Sequence, residues 1–230
     1  IAQSTKEYFE EWHPYDHLIK HNYMRHREII QSLRGATTLK SSDDVRLLEL
    51  GCGNAYVAYQ AFCHLDRVQF TGIDLSSQAL KEAEENLRRT SWDIDLIEGD
   101  IERRLGDLNG SFDLVVAGYS LHHYSSEAIL RILQEVRQKM KEAAEVFVYD
   151  VATRENETRE AFNDRLVDGI EFKQVGISAD HLASITHHIT NHDFPISISQ
   201  WDQLVKEAGF TSLECIYRDE EEYYALFRII

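Results

Sequence analysis

The chain has 230 residues, of which 40 are acidic and 24 basic, so its formal net charge is −16. A surface of this sign repels polyanions and argues against a nucleic acid partner, whereas neutral or cationic small molecules suit it. No apolar run approaches the roughly 20 residues that cross a bilayer, no secretory signal opens the chain, and its three cysteines suggest no disulfide framework, so we predict one soluble domain over 1–230, cytoplasmic and without a membrane partner.

A helical stripe near the start of the chain predicts a lid over residues 1–40. Its middle is polar and aromatic, so we expect a helix over 15–34 that closes over a ligand, with Arg25 or Tyr23 reaching a carboxylate and His26 near the acceptor. A partly exposed amphipathic helix with snorkelling side chains explains the stripe equally well. The stripe consists of Tyr15, Ile19, Asn22, His26, Ile30 and Leu33.

A glycine turn follows the first predicted strand, Val45 to Leu50. Gly51 and Gly53 allow positive φ and a close approach of the backbone to a ligand, and a helix is expected to begin near Asn54. The turn is therefore predicted to present free amides beside a helix N-terminus, where carboxylate, phosphate or ribose oxygens bind. Two glycines alone would fit an ordinary strand-to-helix turn equally well.

Acidic residues stand at the ends of the next two predicted strands. Asp74 ends a strand about 20 positions beyond Gly53, the place from which a carboxylate accepts hydrogen bonds from ribose hydroxyls. Asp93 to Glu98 forms the third strand, and Asp100 follows it, where its carboxylate could accept from an adenine amino group.

The fourth and fifth predicted strands, Phe112 to Gly118 and Ala144 to Asp150, complete an alternation of strands and helices. Such alternation predicts an α/β fold with a doubly wound, mostly parallel sheet whose ligands bind beyond the carboxyl ends of the strands. His122 and His123 follow the fourth strand and are candidates for a general base, although either could instead cap or pack the next helix.

A stretch of about 40 residues then separates the fifth strand from the last helix. It is too long for a simple connection, so residues 152–197 are predicted to form a helical cap over the substrate. A zinc site on His181, His188 and His192 is conceivable at helical spacing, but the group contains no Cys or Glu, so we predict no metal site.

Together these motifs resemble the class I S-adenosylmethionine-dependent methyltransferases. The family's acidic residue and glycine loop correspond to Glu49 and to Gly51–Ala55, its ribose-binding acid to Asp74, its Gly-Asp-aliphatic element to 99–101, and its fourth-strand segment to 112–123. The resemblance implies a seven-stranded sheet with an antiparallel C-terminal hairpin, in which 41–151 form the donor-binding core and 198–230 the last helix and hairpin. Two departures are Ala55 in place of a third glycine, and Lys141 to Ala144 in place of Lys-Pro-Gly-Gly.

The resemblance also implies a cofactor, S-adenosylmethionine, and a reaction, in-line methyl transfer to oxygen or nitrogen of a small-molecule acceptor. His123 or His122 would be catalytic, and Tyr119, Tyr124 and His26 would contact the acceptor. The metal-dependent branch has acidic ligands after the fourth strand, where this chain has Ala117 and Gly118, which argues against magnesium. The residues implied to bind the donor are Glu49, Gly51, Cys52, Gly53, Asp74, Leu75, Asp100, Ile101, Ala117, Arg25 and Tyr23.

Two other functions fit parts of the same pattern. A glycine turn followed by an acid also serves an NAD-dependent oxidoreductase, although the element at 99–101 and the C-terminal hairpin favour methyl transfer. A non-catalytic ligand-binding protein of the same fold is the other alternative, because fold does not fix function. The sequence predicts no oligomeric state.

Overall fold

The computed structural model describes residues 19, 21–172 and 178–230. The predicted lid residues 1–18 lie outside this description, as does the side chain of His181. The strands are β1 Asp44–Leu50, β2 Arg67–Asp74, β3 Asp93–Glu98, β4 Phe112–Gly118, β5 Met140–Thr153, β6 Ile196–Ser197, β7 Leu213–Arg218 and β8 Tyr224–Ile229.

Helices alternate with the first five strands and then fill the segment after β5. A short 3-10 helix, Leu121–His123, follows β4. In the described ranges, none of the helices is long and apolar enough to cross a membrane. The α-helices are α1 His26–Ala36, α2 Tyr56–Phe62, α3 Ser77–Leu87, α4 Ile101–Asp107, α5 Ser126–Lys139, α6 Arg159–Phe172, α7 Ala179–His192 and α8 Ile198–Glu207.

The sheet has the strand order β3-β2-β1-β4-β5-β8-β7, and β6 pairs with the end of β5 beside this path. Strands β1 to β5 are parallel, whereas β8 lies antiparallel between β5 and β7. The predicted doubly wound α/β fold with an antiparallel C-terminal hairpin is confirmed, and the two-residue β6 is an addition. Strand order reverses between β1 and β4, which opens a crevice at their carboxyl ends.

Alternating side chains of each central strand bury two separate layers of helices. Leu47 of β1 packs in a core with α1, α2 and α3, and its neighbour Leu48 packs in a core with α4, α5 and α8. This alternation follows from the two-residue period of a strand whose faces are both covered. Phe162 of α6 and Ile185 of α7 join the first core, so the predicted helices after the fifth strand lie on that side of the sheet.

A turn interrupts the region where the sequence predicts one continuous helix. Ile19 is helical, residues 21–24 form a turn, and α1 starts at His26, whereas the predicted helix start near residue 15 lies outside the described residues. Asn22 and Arg25 both have φ of 57°, and the Asn22 side chain accepts a hydrogen bond from the amide of Arg27 at 2.9 Å. Asn22 therefore satisfies a donor of the first helical turn, which fixes the helix start at this point.

Strand β5 is twice as long as predicted, because it gains four residues before Ala144 and three after Asp150. Lys141 to Ala144, where the resembling family has Pro and Gly, contain no residue that breaks a strand and continue directly into it. The Lys141 ammonium bonds the carboxylate of Asp113 at 2.7 Å, and the register shifts between Phe112 and Leu114.

Candidate functional site

A cavity opens at the carboxyl ends of β1, β2, β4 and β5 and runs beneath α6 and α7. One end is formed by the glycine turn and the tip of β2, and the other by imidazole and apolar side chains of the cap. The described lining includes Tyr23, Met24, Gly51, Gly53, Asp74, Leu75, Ser76, Ile101, Gly118, Tyr119, His122, His123, Tyr124, Val151, Leu166, Ile170, Ile185, His188, Ile189, Asp193 and Tyr224.

The glycine turn is closed by the strand beside it, so the prediction of free amides is wrong for its first three residues. The amides of Gly51 and Cys52 both donate to the carbonyl of Ile73, at 2.8 and 3.0 Å, and the amide of Gly53 donates to Asp74 Oδ2 at 2.7 Å. The turn lies where predicted, with φ of 68° at Gly51 and 51° at Gly53. It shapes the cavity wall, while its amides hold the tip of β2.

Asp74 lies at the cavity with both carboxylate oxygens fixed. Oδ2 accepts from Gly53 and Oδ1 accepts from the amide of Ser76 at 2.8 Å. Burial raises the pKa of Asp74 above its ordinary value, against the opposing effect of these backbone hydrogen bonds. A carboxylate has about four lone-pair sites, more than these backbone amides and that of Leu75 occupy, so it can still accept from a ligand hydroxyl.

Glu49 and Cys52 lie behind the turn as buried side chains. Glu49 is only 2% exposed, and burial together with the charge of Asp74 raises its pKa well above the ordinary value. Its Oε2 has no hydrogen-bond partner among the described residues. Burial likewise raises the pKa of the Cys52 thiol, so burial disfavours the charged form of both side chains.

Of the residues predicted to contact an adenine ring, the apolar Leu75 and Ile101 line the cavity, but the acidic Asp100 does not. Asp100 is the N-cap of α4 and accepts from the amide of Arg103 at 3.3 Å and from the hydroxyl of Tyr124 at 3.2 Å. Tyr124, predicted at the acceptor, thus lies at this end of the cavity instead.

On β4 the residue that reaches the cavity is Gly118, whereas Ala117 packs in the core on the opposite face of the sheet. Successive side chains of a strand point to opposite faces of the sheet, so only one of these two neighbours can face the cavity. A Cβ on Gly118 would lie 1.8 Å from a ring atom of Tyr149, so only glycine fits beside that ring. Ala117 therefore lies in the core and not at the cavity, in contrast to the donor contact that the resemblance implied for it.

The N-terminal segment brings one of its three predicted residues to the cavity wall. Tyr23 lines the cavity. The guanidinium of Arg25 instead bonds the carboxylate of Glu221 at 2.7 Å. His26 is buried behind Tyr119, with ring centroids 5.4 Å apart and nearly perpendicular planes, and burial lowers the pKa of His26 to about 4.

Tyr119 connects the end of β4 to this segment. Its backbone has φ of 46°, an uncommon conformation for a bulky residue, and its hydroxyl donates to the carbonyl of Met24. Its ring packs edge-on against Tyr149 and Tyr224. The contact sets Tyr119 between the N-terminal segment and the cavity, and its role at the acceptor stays a prediction.

His122 is held by a carboxylate from the neighbouring strand. Its Nδ1 is hydrogen-bonded to Asp150 of β5, and its backbone amide donates to the same carboxylate at 3.0 Å. Burial alone would lower the pKa of His122, but the charges of Asp150 and Asp193 outweigh it and raise that pKa to about 9. His122 therefore has a fixed ring orientation, with Nε2 directed away from Asp150.

Two more imidazoles meet one oxygen of Asp193 beside His122. Oδ1 of Asp193 lies 3.6 Å from His122 Nε2, 3.2 Å from His123 Nδ1 and 3.4 Å from His188 Nε2. Burial lowers the pKa of His123, helped by the charge of His122, and burial lowers the pKa of His188 to about 3. Burial would raise the pKa of Asp193, but His122 and His123 lower it on balance, so the carboxylate is ionised.

The sequence placed His122 and His123 at the site but missed the partners that surround them. Asp150 could have been found, because it ends the strand next to β4 and the carboxyl ends of parallel strands meet at one edge. His188 and Asp193 come from the cap, about 70 residues further along the chain, and no local pattern indicates where a cap helix will dock.

Comparisons with known proteins agree on the class of domain. Residues 47–143 match the family model described as a methyltransferase domain. A ribosomal protein L11 methyltransferase of Thermotoga neapolitana is 29% identical over 137 residues, which cover 59% of this chain and 48% of that protein. A malonyl-[acyl-carrier protein] O-methyltransferase of a Paenibacillus species is 22% identical over 202 residues, covering 86% of this chain and 67% of that protein.

A solved structure has the same fold at low sequence identity. Human N-acetylserotonin methyltransferase, in complex with S-adenosylmethionine, superposes with a TM-score of 0.58 and 16% identity, covering 87% of this chain and 50% of that one. The chain thus spans about half the length of this protein and of the Thermotoga relative.

Proposed function

Because this chain belongs to the class I S-adenosylmethionine-dependent methyltransferase family, we propose that it transfers a methyl group from S-adenosylmethionine to oxygen or nitrogen of a small-molecule acceptor. The observation that carries the proposal is one continuous cavity that joins the glycine turn and Asp74 to the imidazoles of His122 and His123. A donor at the first end and an acceptor at the second would meet at the carboxyl end of β4.

The residues at the donor end suit a nucleoside linked to an amino acid. Asp74 can accept from ribose hydroxyls, and the apolar side chains of Leu75 and Ile101 can hold an adenine ring between them. Glu49 Oε2 has no hydrogen-bond partner among the described residues and is available for one behind the turn. S-adenosylmethionine supplies the reactive methyl as part of a sulfonium, and the chain supplies position and a water-poor site.

The other end of the cavity favours an acceptor with an apolar body and one polar reacting atom. Four aliphatic side chains of the cap line it, and the polar groups converge on the side nearest β4. This composition is typical of small-molecule sites, in which few polar groups fix orientation. The aliphatic side chains are Leu166, Ile170, Ile185 and Ile189.

His122 and His123 stand where an acceptor's proton must leave. We assign that task to His123, whose lowered pKa keeps its imidazole neutral, with His122, oriented by Asp150, beside it and the two ring centroids 3.9 Å apart. Replacing His123 by Ala should lower turnover by about 100-fold, the lower part of the usual range for general acid–base catalysis. Donor affinity should change by less than about threefold, because His123 lies away from Asp74, and the exposed His64 replaced by Ala should change neither.

A direct test uses methyl-labelled S-adenosylmethionine with a panel of phenols, aliphatic alcohols, amines and carboxylates. Label transfer to one of these classes, together with calorimetric binding of S-adenosylhomocysteine, would support the proposal. Binding of NAD and not of S-adenosylhomocysteine would favour the oxidoreductase. Donor binding without transfer to any acceptor, including ribosomal proteins, would favour a non-catalytic ligand-binding role. The cytoplasmic location stays a prediction.

A further inference from the structure

We propose that His122, His123 and Asp193, with His188 beside them, form a binding site for a divalent first-row transition metal ion such as Zn²⁺ or Fe²⁺. One ligand atom from each of His122, His123 and Asp193 lies within 4.8 Å of the other two. All four side chains are between 6% and 8% exposed. Two imidazoles and a carboxylate on one side of an ion form a common metal-binding set.

The separations between these atoms fit ligands that share an ion. Ligand bonds of 2.0–2.2 Å at tetrahedral angles place neighbouring ligand atoms roughly 3.3 Å apart. The three nitrogens lie 3.2, 3.4 and 3.6 Å from Oδ1 of Asp193. That oxygen is buried, and three ring nitrogens converge on it, one of which, His123 Nδ1, also lies 3.4 Å from the carbonyl oxygen of His192.

Asp150 completes the site as an outer carboxylate. Its contact with His122 Nδ1 leaves His122 Nε2 as the nitrogen that faces Asp193. A metal-bound histidine commonly donates its second ring N–H to a carboxylate in this way, which fixes the tautomer and raises the basicity of the ligand. The backbone amides of His122 and Val151 also donate to Asp150, so the outer carboxylate is itself immobilised.

The ligand atoms of this site favour a transition metal ion over Mg²⁺ or Ca²⁺. Mg²⁺ and Ca²⁺ prefer oxygen ligands, whereas imidazole nitrogens suit Zn²⁺, Fe²⁺ and Co²⁺. The set was missed in the sequence because that prediction grouped His188 with His181 and His192 on one helix. The structure instead joins His188 to residues that follow β4.

The site opens onto the cavity, which gives the ion a place in the proposed function. His122, His123, His188 and Asp193 all line the acceptor end, and an ion held by His122, His123 and Asp193 alone would keep a fourth coordination position for an acceptor oxygen. On that reading, which rests on the proposed function, His122 and His123 act on the acceptor through the ion instead of taking its proton directly. Metal binding itself does not depend on that reaction.

The test is metal binding by the tag-free chain. Chelator-treated protein is titrated with Co²⁺ and with Zn²⁺, and bound metal is measured by elemental analysis and by the visible absorption of Co²⁺. We expect about one ion per chain and a spectrum of nitrogen-ligated Co²⁺. Replacing Asp193 by Asn, which keeps the shape of the side chain, should weaken binding at least tenfold, and Asp150→Asn should weaken it by about 10- to 100-fold.

The matched control is His187→Ala, which removes an exposed histidine from the same helix and should leave binding unchanged. His123→Gln provides a second ligand variant, and circular dichroism confirms that each variant is folded. Binding of less than about 0.1 ion per chain would overturn the inference. Equal metal affinity in the parent, Asp193→Asn and His123→Gln proteins would overturn it as well. S-adenosylhomocysteine binding and methyl transfer are measured in separate assays. A failure of the proposed function can then be distinguished from a failure of metal binding.

Discussion

Gly51 and Gly53 share a positive φ but differ in what surrounds them. A Cβ on Gly51 would lie 2.4 Å from the Cβ of Ser120, whereas a Cβ on Gly53 meets nothing within 4 Å. Gly53→Ala should therefore cost only the backbone term of about 1–2 kcal/mol. Gly51→Ala should cost about 1–3 kcal/mol more, because Ser120 or the turn must move. Urea unfolding of both variants measures the difference, and equal losses would contradict the close contact.

His26 should make stability depend on pH. Its pKa in the folded chain is about 4, below the ordinary value near 6.5, so the unfolded chain binds its proton first as pH falls. Stability from this residue is therefore complete above about pH 6.5 and is lost towards pH 4. The loss is on the order of 3 kcal/mol, from about 1.4 kcal/mol for each pKa unit.

The measurement compares the free energy of unfolding of the parent and of His26→Gln at several pH values between 4 and 7. Gln keeps a polar side chain of similar size but does not titrate, so groups common to both proteins cancel in the difference. We expect the difference to shrink as pH falls. A constant difference would show that His26 is not buried as a neutral imidazole. The exposed His64, replaced by Gln, serves as the control.

At the scale of elements, the Arg25–Glu221 ion pair ties the start of α1 to the loop between β7 and β8. Its side chains are 28% and 38% exposed, so the pair should contribute only about 0.5 kcal/mol. We expect Arg25→Gln and Glu221→Gln to weaken S-adenosylhomocysteine binding to the same small extent, less than about threefold. The double variant should resemble either single one, because each removes the same contact.

Calorimetry on the three variants distinguishes a structural ion pair from the donor-binding role that the sequence suggested for Arg25. If Arg25 bound the donor's carboxylate, its loss would weaken binding by tenfold or more and Glu221→Gln would not. The structure favours the first outcome because the Arg25 guanidinium already has a charged partner.

At the scale of the whole molecule, donor binding should raise the melting temperature. A ligand that binds only the folded chain at 100 times its Kd stabilises it by about 2.7 kcal/mol. For a domain of this size that is a shift of roughly 5–10 °C. We expect this shift with S-adenosylhomocysteine, a much smaller one in Asp74→Asn, and none with NAD. Differential scanning fluorimetry measures all three, and a shift with NAD alone would contradict the proposed cofactor.

Much of the architecture could be predicted because its signals are local. The apolar run from Val45 to Leu50, the glycines after it and the spacing to Asp74 each specify an element or a turn through a few neighbouring residues. Boundaries were less certain: a strand at Met140 and a helix start at His26 depend on Lys141–Asp113 and Asn22–Arg27 contacts. These contacts join side chains to positions that a periodic pattern does not encode.

The sequence by itself determined the alternating strands and helices, the glycine turn and the edge of the sheet at which the cavity opens, since period and turn chemistry act within a few residues. Tertiary structure alone decided that Asp150, His188 and Asp193 surround His122 and His123, that Arg25 turns to Glu221, and that Asp100 bonds Tyr124. The physical reason is that each of these pairings forms between elements far apart in the chain. Their relative positions follow from packing on the sheet and not from neighbouring residues.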